Sequence, residues 1–315
     1  MVSTRQRAHH GVGGGQCAQV VRWGRAVGVS LAAIGLVVAA GCTGQRKTET
    51  VSGSAPVLGA ADAASLVSRH NRRVELLERV FSNGVAEFRW VDGDGKEHFE
   101  PQVNVKLWLS LPRTSALRAE KLGEVLLWLG SDARQYWVFD LTGEETSLYL
   151  GRHESSGWSE GASPLLIRPL ALLDLAGLSR LGEPSAGDGT DMAWDGQRRA
   201  WAMVGEGVGG PMVVYLDEVR GLPVRVETLA RDGRVVLAAD LERYASVPVR
   251  GRSSAAYPPI PTLIDIADPE GGVRVKIALD EPDGMADEQP WDRVFDLQRL
   301  MGALRPDRIE EEPVE

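Results

Sequence analysis

The chain has 315 residues, 35 Lys and Arg against 44 Asp and Glu, and a formal net charge of −9. Its 43% hydrophobic and 25% charged residues are ordinary globular values and exclude disorder throughout. The negative balance argues against a nucleic-acid partner, which calls for a basic stripe, and the length holds one large domain or two ordinary ones.

The charge is unevenly placed. Residues 1–41 carry Arg5, Arg7, Arg22 and Arg25 and no acid, so the remainder holds −13. Ala26–Ala40 is an uncharged run of fifteen residues, too short for a spanning helix and of the length of a secretory h-region. It ends in Val38-Ala39-Ala40-Gly41-Cys42, which resembles the lipobox of bacterial lipoproteins. That resemblance implies lipidation of Cys42 after removal of 1–41, and a membrane attached through the N-terminal lipid. Cys17 and Cys42 are the only cysteines, so the mature chain would keep neither a free thiol nor a disulfide in an oxidising compartment. Residues 42–60 are polar and read as a flexible tether. Thr43 stands where an Asp would favour inner-membrane retention, which leans the expected location to the outer membrane, facing the periplasm.

The body, 61–305, reads as one domain. Val67, Val74, Leu77 and Phe81 recur at helical spacing, with Asn83-Gly84 as a C-cap signal. The period then becomes two: Ala86, Phe88 and Trp90, the turn Asp92-Gly93-Asp94-Gly95, and Val105, Leu107, Leu109 and Leu111. Val125–Leu129 and Tyr136–Phe139 are apolar on both faces, as in a sheet covered on both sides. Ser147–Leu150 follows, then a Leu-rich helix over Leu165–Leu181 ending at Gly182. Strands resume at Ala200–Val204, Met212–Leu216, Val224–Thr228, Val235–Leu241, Ile260–Ile266 and Val273–Leu279, with Asp232-Gly233 as a hairpin signal. Trp291, Val294, Phe295, Leu297, Leu300 and Met301 predict a terminal helix, and 306–315 an acidic tail. Short connections mean antiparallel pairing. The expected class is α+β: a large curved antiparallel sheet, a half-barrel of about eleven strands, with helices on the concave face.

No catalytic constellation emerges. Gly157-Trp158-Ser159-Glu160-Gly161 matches a nucleophile elbow, but no His follows Ser159 as that fold requires. Gly205, Gly207 and Gly210 match a dinucleotide fingerprint, but Pro211 and a strand follow where a helix must begin. Asp92 and Asp94 open a calcium-loop pattern that fails at Glu97 and Val103. His70, His98 and His153 lack paired ligand spacing. The expectation is a non-enzyme without cofactor or metal.

Lys106-Leu107-Trp108-Leu109-Ser110-Leu111-Pro112, then Leu117-Arg118-Ala119-Glu120, Gly130-Ser131-Asp132 and Tyr136-Trp137-Val138-Phe139, resemble the LolA/LolB family of lipoprotein carriers and receptors. The chain departs from the family pattern at Ala133, where the turn Gly stands, and by one extra residue after Pro112. The resemblance covers about 61–245. It implies a half-barrel lidded by helices around a cavity for acyl chains or a lipidated partner. It makes Leu107, Leu109, Leu127 and Trp137 cavity candidates, and Arg118 the lid-latch candidate. The alternative is a structural or regulatory envelope lipoprotein whose sheet is filled by its own side chains.

Overall fold

The computed structural model describes residues 60–92, 94–143, 145–153, 169–182, 192–270 and 272–311. All belong to one compact unit, Ser52–Glu315. The expected signal segment, Cys42, nearly all of the expected tether and Ser159 lie outside the described residues.

Helix α1 (Ala60–Glu75) leads into β1 (Arg79–Val91), β2 (Glu97–Ser110), β3 (Thr114–Lys121), β4 (Glu124–Ser131), β5 (Gln135–Asp140) and β6 (Ser147–Arg152). A short helix, α2 (Pro169–Leu175), separates these from β7 (Met192–Asp195), β8 (Ala200–Glu206), β9 (Pro211–Asp217), β10 (Pro223–Leu229) and β11 (Val235–Ser246). Then come β12 (Pro259–Ala267), β13 (Val273–Asp283), α3 (Trp291–Val294), α4 (Leu297–Leu304) and β14 (Arg308–Glu311). All the strands form one sheet in the order β14-β6-β5-β4-β3-β2-β1-β13-β12-β11-β10-β9-β8-β7. Every pairing among β1–β13 is antiparallel, and β14 joins β6 in parallel.

The curvature follows from what α2 touches. Its seven residues pack against β3, β4 and β5 and also against β10. In a flat sheet the six spacings from β3 to β10 would span about 29 Å at ~4.8 Å each. A helix of that length is only about 10 Å long, so the sheet must wrap round it, with α2 on the concave side. The inner face is mostly apolar, with Ser115 and Ser131 as buried polar exceptions: Leu107, Leu109, Leu117, Leu127, Leu129, Met212, Val214, Val226, Ile264 and Ile277 form one core with Leu66 and Val67 of α1 and Leu172, Leu173 and Leu175 of α2.

Among the described residues the outer face is covered on one limb only. Trp137, Phe139 and Leu148 pack under Leu297 and Leu300 of α4, and Trp108 and Ala116 under Trp291 and Val294 of α3. The two-sided apolar pattern of β4 and β5 is thereby explained. On β13, by contrast, Val273, Val275, Ile277 and Leu279 are buried while Arg274, Lys276, Ala278 and Asp280 between them are exposed.

Several expectations change. The α+β class and the curved sheet hold, with fourteen strands instead of about eleven; the short edge strands β7 and β14 carry too little pattern to be seen. Residues 308–311 of the expected acidic tail form β14, tied where Asp307 Oδ2 accepts from the Thr146 amide and hydroxyl at 2.9 Å. Of the described helices α1 and α2 lie on the concave face; the terminal helix sits outside and is broken in two, with Asp296 capping α4 by accepting from Arg299 N at 3.0 Å. Helix α1 ends at Glu75, so Phe81 and Asn83-Gly84 belong to β1. The Leu-rich helix ends early because Gly177, at φ +64, turns the chain. Leu178 N donates to Leu173 O and Gly177 N to Asp174 O, a Schellman ending.

Gly84 is required by packing, not by a cap. A Cβ there would lie 2.3 Å from the Ala278 backbone oxygen on β13, and backbone cannot step aside. We expect Gly84→Ala to lower stability by roughly 2 kcal/mol or more in chemical denaturation, and Gly182→Ala, where a Cβ meets nothing within 4 Å, to leave it unchanged.

Candidate functional site

Helix α1 turns a polar stripe into the protein, and that stripe holds the segment after α2. Asn71 Nδ2 donates to Leu181 O and Asn71 Oδ1 accepts from Leu181 N, both at 2.8 Å. His70 Nε2 donates to Ser179 O at 2.8 Å. Arg73 donates to the Gly177 carbonyl and, at 3.0 Å, to Pro259 O on β12. Arg69 donates to Val219 O at 2.8 Å in the β9–β10 connection. His70, Asn71 and Arg73 are all buried. Burial, helped by the Arg73 charge, pushes the His70 imidazole down to about 3, so it stays neutral. Burial lowers Arg73 to about 10, which leaves it charged at neutral pH. The nearby buried phenol of Tyr244 is pushed upward.

Helix α2 is tied on its other side by Asp174. This carboxylate accepts from Val208 N at 2.9 Å, from Gly209 N at 2.6 Å and from the Ser179 hydroxyl. The β8–β9 loop comes this close because Gly207 and Gly209 have no side chains: a Cβ would lie 2.5 Å and 2.9 Å from the Asp174 carboxylate, respectively. The glycine-rich run that resembled a dinucleotide fingerprint thus cradles the protein's own carboxylate with backbone N–H groups, a small anion nest. A third tie runs from Ser115 Oγ on β3 to Pro169 O at 2.7 Å.

Where these elements meet, a cleft of about 640 Å³ opens. Its apolar wall is Val74, Leu77, Leu111, Pro112, Leu178 and Val208, and its polar rim includes Glu78, Arg113, His153, Arg180 and Glu206. Arg180 pairs with Glu75 at 2.8 Å. A second cleft, of about 450 Å³, shares Glu75 and Glu78 and adds Arg79, Arg250, Arg252 and Asp287. The apolar wall continues into the inner core, since Leu111 and Val208 pack against it.

The sequence-derived site residues divide between the two faces. Leu107, Leu109 and Leu127 share the inner face, at 1–3% exposure. Trp137 does not join them. It pairs with Gly130 across β4–β5, and strand alternation puts it on the outer face beneath α4. Its indole crosses Gly130, where a Cβ would lie 2.7 Å from Nε1. Arg118 is also on the outer face, above Trp128 at 5.5 Å and paired with Glu120 at 2.6 Å, so it cannot latch a helix on the concave side. The ties to that helix come from Asn71, Arg73 and Asp174, which the linear pattern did not reveal. Leu122 was also missed: it sits at the β3–β4 turn with φ 53 and is 98% exposed. Among the described residues no group of three His, Cys, Asp or Glu could hold a metal, and no helix is long and apolar enough to cross a membrane.

No family model matches the chain, and no curated protein matches it. Solved structures similar to it include a domain named for outer-membrane lipoprotein sorting from Vibrio parahaemolyticus, at 10% identity and a TM-score of 0.44, covering 74% of this chain and 97% of that one. A LolA superfamily protein from Nitrosomonas europaea has 15% identity and a TM-score of 0.40, covering 70% and 92%. A DUF1329 family protein from Desulfovibrio piger has 13% identity and a TM-score of 0.40, covering 76% and 98%.

The buried His70 gives the α1–α2 junction a pH signature. Its folded value of about 3 lies below the ordinary imidazole value of 6.5, so the unfolded chain binds the extra proton. The contribution is therefore complete above pH 6.5 and is lost as pH falls towards 3. Replacing His70 by Gln removes this dependence. Between pH 7 and pH 4 we expect the stability gap between wild type and His70→Gln to shift by about 3 kcal/mol against the wild type, measured by urea denaturation at both pH values.

Proposed function

We propose that the chain is an envelope lipoprotein, anchored through Cys42, whose half-barrel binds acyl chains or a lipidated partner without catalysing a reaction. One observation carries the reading. A seven-residue helix lies across a largely apolar concave face, and an open cleft with an apolar wall leads in beside it. Such a cleft, apolar with a few polar groups at its mouth, suits a ligand with a hydrocarbon tail and a polar head. In this reading Leu107, Leu109 and Leu127 form the floor that the tail reaches, and Leu77, Leu111 and Val208 form the entrance. The sequence resemblance to lipoprotein carriers and receptors points the same way. A chain fixed to a membrane cannot ferry cargo across the periplasm, so its role would be that of a receptor, outer-membrane-bound and facing the periplasm.

A second reading rests on the burial of Leu107, Leu109 and Leu127 to 1–3% exposure. With α1 and α2 in place the core is covered by the protein's own side chains, as a structural or regulatory lipoprotein would have it. The two readings separate on ligand uptake.

Leu111 is only half-buried at the edge of the cleft, so a charge there is tolerated by the fold. In titrations with a fluorescent fatty acid, the binding reading expects saturable uptake by the compact unit from Ser52 and at least a tenfold weaker affinity for Leu111→Arg. Native mass spectrometry would show co-purifying lipid in the wild type. A lipid-free protein that takes up no fatty acid would leave the structural reading in place.

A further inference from the structure

We propose that the second cleft, of about 450 Å³, is a phosphate subsite in which Arg79, Arg250 and Arg252 hold the head of a ligand whose hydrocarbon tail enters the neighbouring apolar cleft. The tail rests on the acyl-binding reading; the subsite stands on the geometry of the second cleft alone.

Three stretches far apart in sequence make this cleft. Arg79 opens β1 directly after α1. Arg250 and Arg252 flank Gly251 in the β11–β12 connection, where Gly251 turns the chain at φ +69, a conformation natural to glycine. Residues 284–287 follow β13. The three meet because Gly284 has no side chain: a Cβ there would lie 2.5 Å from the Pro248 backbone oxygen and 3.2 Å from the Arg79 backbone oxygen. Gly284 N also donates to Pro248 O at 3.1 Å. Backbone contacts thus set arginines from two separate segments along one cleft.

Ion pairing accounts for only one of these arginines. Arg250 pairs with Asp287, both exposed. Such a pair adds little and leaves the guanidinium open to a second acceptor. The Arg252 side chain has no hydrogen bond or ion pair among the described residues, and neither has that of Arg79. Instead Arg79 lies over the Trp291 ring, 5.3 Å from its centre. Trp291 is itself buried and fixed, its Nε1 donating to Ala286 O at 2.9 Å. An aromatic face steadies a guanidinium while its N–H edges stay free for a bidentate acceptor. On the acidic side, Glu75 is engaged with Arg180 and Asp287 with Arg250. Glu78, on the wall that both clefts share, is the one carboxylate of this cleft without an ion pair among the described residues. Two unpaired arginines therefore face one unpaired carboxylate. The chain as a whole is negative, so an anion is drawn here by local donors and not by the overall field. Phosphate suits them, because its oxygens accept from several guanidinium forks at once. The shared wall at Glu75 and Glu78 sets the subsite beside the apolar cleft, where the head of a lipid would leave its tail.

The test uses the full-length chain at one fixed concentration of a non-ionic detergent. Each variant is compared with wild type on the same ligand, so that partitioning into micelles cancels. The probes are a fluorescent lysophosphatidic acid, a fluorescent monoacylglycerol of the same chain length, and inorganic phosphate. Replacing Arg79→Gln and Arg252→Gln together should weaken lysophosphatidic acid by about tenfold and leave monoacylglycerol unchanged. Inorganic phosphate should displace the first lipid and not the second. Glu78→Gln, which removes the opposing charge, should tighten lysophosphatidic acid and phosphate by about threefold. Should the double variant fail to fold once Arg79 leaves Trp291, Arg252→Gln alone, at an exposed position, decides the matter by a loss of about threefold on the phosphate-bearing lipid. Equal loss for both lipids, no loss for either, no competition by inorganic phosphate, or an affinity unmoved in Glu78→Gln would each overturn the subsite. Inorganic phosphate that binds in wild type and is lost in Arg252→Gln, with neither lipid taken up, would support the subsite with free phosphate as its source and count against the acyl-binding reading.

Discussion

The protein is organised by a single geometric demand: one short helix must touch β3 and β10, which stand six strands apart in the same sheet. That contact is possible only if the sheet closes around α2, and everything on the concave side follows from it. Gly177 ends the helix where any side chain would strike Pro223, since a Cβ there would be 2.4 Å from its Cγ. Helix α1 supplies Asn71, His70 and Arg73 to hold the departing chain, and the β8–β9 loop supplies two amides to hold Asp174. The helix is thus fastened by polar groups at its end and apolar groups along its length. Each buried polar tie is worth more for what its loss would strand than for its own strength, because a buried donor or acceptor left without a partner costs about 1–3 kcal/mol.

The two limbs of the sheet are built differently. From β2 to β6 both faces are covered, with α2 inside and α3 and α4 outside, and the large aromatics Trp108, Trp128, Trp137 and Phe139 fill the outer layer. From β13 to β8 the outer face carries charges, such as Arg225 bonded to Glu227 at 2.7 Å and to Asp240 at 2.8 Å. Arg225 and Glu227 are themselves largely covered, and the Asp240 end of the network is exposed to solvent. Helix α2 therefore rests between one limb sandwiched on both sides and one held from a single side.

Strands with a clear period of two were legible from the sequence, and so was the two-sided cover of β4 and β5, because alternation directly reports which face is buried. Helix limits were not. The apolar spacing that continued past Glu75 belonged to β1, whose Val80 and Phe88 face the core on their own register. Gly84 resembled a cap because sequence cannot distinguish a glycine needed for positive φ from one needed for close approach. Leu107 and Leu109 share a face because residues two apart on one strand point the same way; Leu127 joins them through the β2–β3 and β3–β4 registers. Trp137 was misplaced because the register between β4 and β5, which pairs it with Gly130, is a tertiary fact. The ties at Asn71, Arg73 and Asp174 join residues 34 to 186 positions apart, and no local pattern announces such pairs.

The functional account depends on the concave side being the ligand side. Photo-crosslinking with a diazirine fatty acid, mapped by mass spectrometry on the full-length chain, tests this most directly. The account requires adducts to gather at Val74, Leu77, Leu111, Leu178 and Val208, and to be competed away by unlabelled fatty acid. Adducts spread over the surface without competition, or gathered under α3 and α4 at Trp108 and Trp137, would contradict it.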